Sequence, residues 1–168
     1  RACVLPVLLY GSETWCLTVK QEQRINTFYN KCLRTIIGVN IADKMSNEIL
    51  LNITGQPPIG NIIRRNRLRW FGHANRTVNP DGSPSLIKKA MFLYFSNEKR
   101  PNNLGRYKRW EDKILKDIND LHIYNWRRLV HDRKEWRVII NQNSYARPVF
   151  SNIKDVIYKY KKEAVQTR

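Results

Sequence analysis

Clustered metal-binding residues are missing from this 168-residue chain. Its three cysteines, Cys3, Cys16 and Cys32, are far apart, and its three histidines, His73, His122 and His131, are scattered. Zinc sites draw ligands from close local pairs, so no metal site is expected. An odd cysteine count with no close pair also argues against a disulfide scaffold and fits a reducing compartment. Cys3 and Cys32 sit in apolar patterns and read as buried free thiols. Glycine is scarce, seven residues with no cluster, so there is no phosphate-cradling glycine loop. Nothing resembles a nucleophile elbow. The longest apolar run, Ala2 to Tyr10, is short for a membrane span and is interrupted by Pro6. It lacks a cationic flank and a cleavage site, so no signal peptide and no membrane partner are expected. The chain opens on Arg1 and enters that run at once, as a piece of a longer protein would.

Acidic residues are also few, 14 against 31 lysines and arginines, which leaves a net charge of +17. The excess is uneven: residues 1–56 carry +2, residues 57–110 carry +10 and residues 111–168 carry +5. A localised excess of this kind is the footprint of a nucleic-acid surface, with an acidic protein or a membrane surface as the plainer alternatives. Its centre is Arg64-Arg65-Asn66-Arg67-Leu68-Arg69-Trp70-Phe71-Gly72-His73-Ala74-Asn75-Arg76, five arginines with no acid among them. The guanidinium fork matches phosphate oxygens and stays charged at any working pH.

Nearly every periodic stretch is helical. Ala2 to Trp15 is apolar almost all round and is open to a break at Gly11. Thr18-Val19-Lys20-Gln21 is a capping box. It precedes Ile25, Phe28, Tyr29, Cys32, Leu33, Ile36 and Ile37 at spacings of three and four, with Gly38 as a left-handed stop. Ser46 caps a short helix ended by Gly55, and Pro57-Pro58 opens the arginine helix. The apolar stripe there is Ile59, Ile62, Ile63, Trp70 and Ala74. Helical phase sets Arg65, Arg69 and Arg76 together about 120° from it. Asn79-Pro80-Asp81-Gly82 is a turn, and for Leu86 to Phe95 the period does not decide between helix and strand. Ser96 to Gly105 is polar and reads as a linker. Trp110, Ile114, Ile118 and Leu121 mark a further helix. Asn125 caps one that carries Trp126, Leu129, Val130, Arg133, Trp136 and Ile140. A last helix runs through Ile153, Val156, Ile157 and Tyr160.

Two readings compete at several positions. Pro80-Asp81 with Glu111-Asp112-Lys113 formally matches a restriction-like nuclease signature, in which carboxylates hold a divalent metal. The second element falls on a helix and not on a strand, and Asp81 looks like a turn residue, which disfavours it. Trp70, Trp110, Trp126 and Trp136 fall on apolar stripes and are expected to pack. Phe71 sits off the stripe, free to stack on a base or to cover a neighbouring helix. Arg133 and Arg137 lie near an apolar face and are expected to form structural ion pairs with Asp112, Asp117 or Asp132.

An ordered series of motifs runs through these elements. It comprises Tyr10-Gly11-Ser12-Glu13-Thr14-Trp15, Lys31-Cys32-Leu33-Arg34 with Ile37-Gly38, and Asn47-Glu48-Ile49-Leu50. Then come Arg67-Leu68-Arg69-Trp70-Phe71-Gly72-His73 with Arg76, Gly105-Arg106 with Arg109-Trp110, Asn125-Trp126, and Asp132-Arg133 with Trp136-Arg137. In order and spacing this series, over residues 8 to 138, resembles the region downstream of the polymerase active site in reverse transcriptases of non-LTR (LINE-type) retrotransposons. Gly105-Arg106-Tyr107 departs from the Gly-Arg-Pro often found in such relatives. The resemblance implies a thumb and C-terminal region that holds RNA and/or DNA, as a primer–template duplex, by its backbone. The fingers and the palm, with its two-aspartate magnesium site, would lie upstream, along with an endonuclease domain in many such elements. It also implies residence in nucleus and cytoplasm.

The expectation is therefore an all-α fold of six or seven helices: a thumb-like basic helical domain over 1–95, a linker over 96–105 and a C-terminal helical region over 106–168. Nucleic-acid binding is assigned to Arg64, Arg65, Arg67, Arg69, His73, Arg76, Lys88, Lys89, Arg106, Lys108 and Arg109. No catalytic or metal-binding residue and no cofactor is expected in this chain, which lacks the polymerase aspartates and would not polymerise alone. The alternative from another class is a domesticated or decayed remnant acting as a protein-interaction module.

Overall fold

The structure, a computed structural model, describes residues 4–92, 110–142, 157–158 and 162. It is all-α: among the described residues there are eight α-helices and no strand, only an isolated bridge between Val78 and Pro84. They are α1 (Val4–Leu8), α2 (Val19–Ile37), α3 (Asn47–Thr54), α4 (Ile59–Arg76), α5 (Leu86–Phe92), α6 (Trp110–Asp120), α7 (Trp126–Leu129) and α8 (Arg133–Gln142). The expected linker and most of the expected last helix lie outside the described residues.

The helix ends follow local chemistry. Thr18 forms the capping box of α2 with Gln21, and Gly38 closes that helix at φ 69°. Ser46 Oγ accepts from the Ile49 amide at the start of α3, and Gly55 ends it at φ 59°. A side chain at either glycine would meet the penalty for left-handed backbone. Pro58 stands immediately before α4. The 79–82 turn is closed by the Gly82 amide donating to the Asn79 carbonyl, while Asp81 Oδ1 accepts from the Ser83 amide.

Two compact units result, and they interleave in sequence. The described residues of Arg1–Cys16 and Ile63–Gln142 form one; those of Leu17–Ile62 and Asn143–Arg168 form the other. In the second unit α2 packs against α3. Arg34 on α2 fastens the pair, its Nη2 donating to the Met45 carbonyl at 2.9 Å and to Asn47 Oδ1 at 2.8 Å. Tyr29, Leu33, Val39, Met45, Leu50, Ile53, Ile59 and Ile62 are buried here.

The first unit has one apolar core, made of Leu68 and Phe71 from α4, Ile114 and Ile118 from α6, then Ile123, Val130, Trp136 and Ile140. Each such side chain removed from water is worth about 1.5–3 kcal/mol. Trp110 and Trp126 pack against this core, as their stripes predict. The helix expected from Asn125 to Ile140 is instead two helices. Asp132 Oδ1 accepts from the amides of Lys134 and Glu135 at 2.8 and 3.0 Å, capping α8, while the Asn125 side chain makes no cap bond. The apolar spacing runs through the break because Val130, Trp136 and Ile140 enter the same core from both sides of it. Residues Leu86–Phe92, which the period leaves undecided, form α5, where the Lys88 amide donates to Ser85 Oγ.

Candidate nucleic-acid interface

Helix α4 carries the arginine run, and the structure divides that run by burial. Arg67 is 1% exposed. Its Nε and Nη2 grip Asp117 Oδ2 at 2.7 and 2.6 Å, and its Nη1 donates to the Trp15 carbonyl at 3.1 Å. A guanidinium so enclosed does not reach a surface phosphate, which corrects its assignment as a nucleic-acid contact. Its position explains the burial: four residues after Ile63 and seven before Ala74, it is in phase with the packing face. Burial pushes the Asp117 carboxyl up, against the opposing pull of Arg67 and Arg64. Arg64 lies 3.5 Å from both Asp117 and Asp120.

Of the two neighbouring aromatics, Phe71 takes the packing reading of the two left open for it, and Trp70 departs from its expected place in the core. Phe71, expected off the stripe, is 0% exposed and packs among Trp110, Trp126 and Trp136 with ring centroids at 6.4, 5.4 and 6.1 Å. Trp70, expected to pack on the stripe, is only half-buried and sits 5.2 Å from the His73 ring. The phase set by Ile59, Ile62 and Ile63 does not continue. By the second half of α4 the buried side chains are Arg67, Leu68, Phe71 and Ala74, about a third of a turn further round.

A groove of about 970 Å³ lies within the first unit. One wall is the α4 stripe Asn66, Arg69, Trp70, His73 and Arg76 with Thr77 just past its end; the other is the α8 stripe Arg133, Trp136, Arg137 and Ile140. Both follow helical spacing of three and four. The two helices are joined by the Trp136 indole Nε1, which donates to the Leu68 carbonyl at 3.0 Å, while Arg76 Nη1 donates to the Val130 carbonyl at the end of α7 at 2.6 Å. Gly72 makes room for this: a Cβ there would stand 2.5 Å from Trp136 Nε1 and 3.0 Å from Arg76 Nη1.

Four arginines therefore line one groove with a single acid, Glu13. Among the described residues, none of the four is within ion-pair distance of a carboxylate. Burial lowers the pKa of Arg76, and the positive charge of Arg133 lowers it further. The structural ion pairs expected for Arg133 and Arg137 are thus absent among the described residues. Asp117 is taken by Arg67 and Asp132 by the α8 amides. Sequence reasoning missed this pair as groove residues, because only the fold sets α8 beside α4.

Of the remaining assigned residues, Arg69, His73 and Arg76 come together in the groove, whereas Arg65 and Lys89 are not among its lining residues. Lys88 Nζ donates to the Asn75 carbonyl. Arg106, Lys108 and Arg109 lie outside the described residues. Residues Glu111, Asp112 and Lys113 lie on α6, and Asp81 holds its own turn. No group of His, Cys, Asp or Glu suited to a metal ion occurs among the described residues, and no helix there is long and apolar enough to cross a membrane. Cys16 is a free, exposed thiol; Cys32 is free and half-buried, more accessible than its apolar pattern suggests.

Fold and groove together define an all-α protein with a cationic, aromatic-lined cleft. Over 156 residues, 84% of its length, the chain is 26% identical to an uncharacterized transposon-derived protein of Caenorhabditis elegans. It spans about half, 52%, of that relative. No protein-family profile and no solved structure matches it.

Proposed function

We propose that this chain is the nucleic-acid-holding region of a transposon-derived reverse transcriptase, lying downstream of the polymerase active site and gripping its substrate by the phosphate backbone. The observation that carries the reading is the α4–α8 groove, where Arg69, Arg76, Arg133 and Arg137 converge with Glu13 as the one acid in the lining and, among the described residues, no carboxylate within ion-pair distance of any of the four. Uncompensated guanidiniums in a concave site favour a polyanion, whose bound counterions are released as each phosphate is neutralised. Similarity to a transposon-derived protein supports the setting. The ordered motifs from Tyr10 to Arg137 support the narrower placement in a LINE-type polymerase. Backbone contacts of this kind position a substrate without reading its sequence. Polymerisation would belong to a palm outside this chain.

Salt dependence tests it. Replacing Arg69, Arg133 and Arg137 together by glutamine should flatten the slope of log affinity against log salt by about 2–3 units, at about 0.7–0.9 per phosphate contact. Among the described residues these three make no hydrogen bond or ion pair that holds the fold, so the variant should unfold at the same urea concentration as the parent. An unchanged slope would refute nucleic-acid holding by this groove.

A further inference from the structure

The geometry points to the α4–α8 groove as a seat for an unpaired strand: a phosphate between Arg76 and Arg133, and a base laid on Trp70. This deepens the nucleic-acid reading above and rests on it. Three features favour a single strand over a duplex.

The first is Trp70 itself. It is half-buried in the groove wall among the arginines, outside the apolar core around Phe71. An indole in a cationic cleft offers a stacking platform to any base, because every base has a π-face. Inside a duplex the base faces are already occupied by their neighbours, so away from its two ends only an unpaired base has a face to offer. His73 stands 5.2 Å from Trp70 with its ring tilted 36° and extends the same platform along α4.

Size is the second. A groove of about 970 Å³ matches sites that enclose ligands of a few nucleotides or less. A site of that size suits a few nucleotides of one strand better than a duplex.

Charge placement is the third. Arg76 has one Nη committed to the Val130 carbonyl and Trp136 is anchored on Leu68, so the guanidinium is fixed in position before any ligand arrives. Arg133 lines the same groove; burial first and the positive charge of Arg133 second disfavour protonated Arg76, and a phosphate seated between the two relieves both. A preset cation beside an aromatic face is the arrangement that single-strand grooves use.

The experiment compares binding of a labelled oligothymidine with that of a blunt duplex of equal length, for the chain and for Trp70→Leu and Trp70→Phe. Trp70→Leu should weaken oligothymidine binding about 5- to 150-fold, the worth of one stacked base, and weaken duplex binding far less. Trp70→Phe, which keeps a ring, should restore most of the loss. Equal weakening of both probes by Trp70→Leu, no rescue by Trp70→Phe, or no weakening at all would overturn the single-strand seat while leaving backbone holding intact. Competition by oligoglutamate as effective as by oligothymidine would make the groove a site for acidic peptides and overturn it too. Failure of the parent chain to bind either probe would sink the underlying reading, a result distinct from the Trp70 outcomes.

Discussion

Gly72→Ala should destabilise the first unit although it replaces glycine by the best helix former in the middle of a helix. Helical propensity alone favours alanine by about 1 kcal/mol. The added Cβ, however, would lie 2.5 Å from Trp136 Nε1 and 2.6 Å from its Cδ1, contacts that real Cβ atoms do not make. Trp136 cannot yield cheaply, since it is buried in the core and its indole N–H is spent on the Leu68 carbonyl. Overpacking of this kind costs about 1–3 kcal/mol. Pushing the indole away strands a buried donor at a further cost of about 1–3 kcal/mol. The net is a loss of about 1–5 kcal/mol, visible as a lower midpoint in urea unfolding followed by tryptophan fluorescence. Gly60→Ala is the internal control: it lies on the same helix with nothing within 4 Å of where its methyl group would stand, so it should be neutral or stabilise by up to about 1 kcal/mol. A Gly72→Ala variant as stable as Gly60→Ala would refute the steric reasoning and, with it, the closeness of α8 to α4.

The buried ion pair gives a second expectation. Asp117→Leu strands the Arg67 guanidinium and should cost about 3–5 kcal/mol in urea unfolding, whereas Arg67→Met with Asp117→Leu should regain most of it; a double variant no more stable than the single would contradict this. A third concerns pH. The amides of Glu135 and Lys134 hold the Asp132 carboxyl below the ordinary aspartate value, so its cap on α8 is at full strength above about pH 5 and is lost as the pH falls through the ordinary aspartate value of about 4 toward the lowered one. Asp132→Ala should lower the thermal midpoint at neutral pH and shrink the further drop between about pH 5 and 3. An undiminished acid-induced drop in that variant would assign the effect elsewhere.

The helix ends are legible in the sequence because capping is local. Thr18 with Gln21, Ser46, Gly38 and Gly55 each act within a few residues of themselves and stand where the pattern predicts. The Asn125–Ile140 stretch reads as one helix for a related reason. Its apolar period is genuine and hides the Asp132 cap inside it, which begins a second helix, α8. Arg67 carries a usable signal, since it is in phase with Ile63 and Ala74. Arginine density points it to the surface, whereas Asp117 on α6 draws it into the core.

Sequence alone determined that this chain is all-α, basic in its middle third and short of metal-binding clusters, because these follow from periodicity, caps and composition. Tertiary structure decided which arginines are available. It buried Arg67 on Asp117, turned Phe71 into the core, left Trp70 in a groove wall and brought Arg133 and Arg137 of α8 to face Arg69 and Arg76 of α4. The reason is physical. A helix repeats every 3.6 residues, but the face it buries is set by whatever packs against it, and on α4 that face turns partway along.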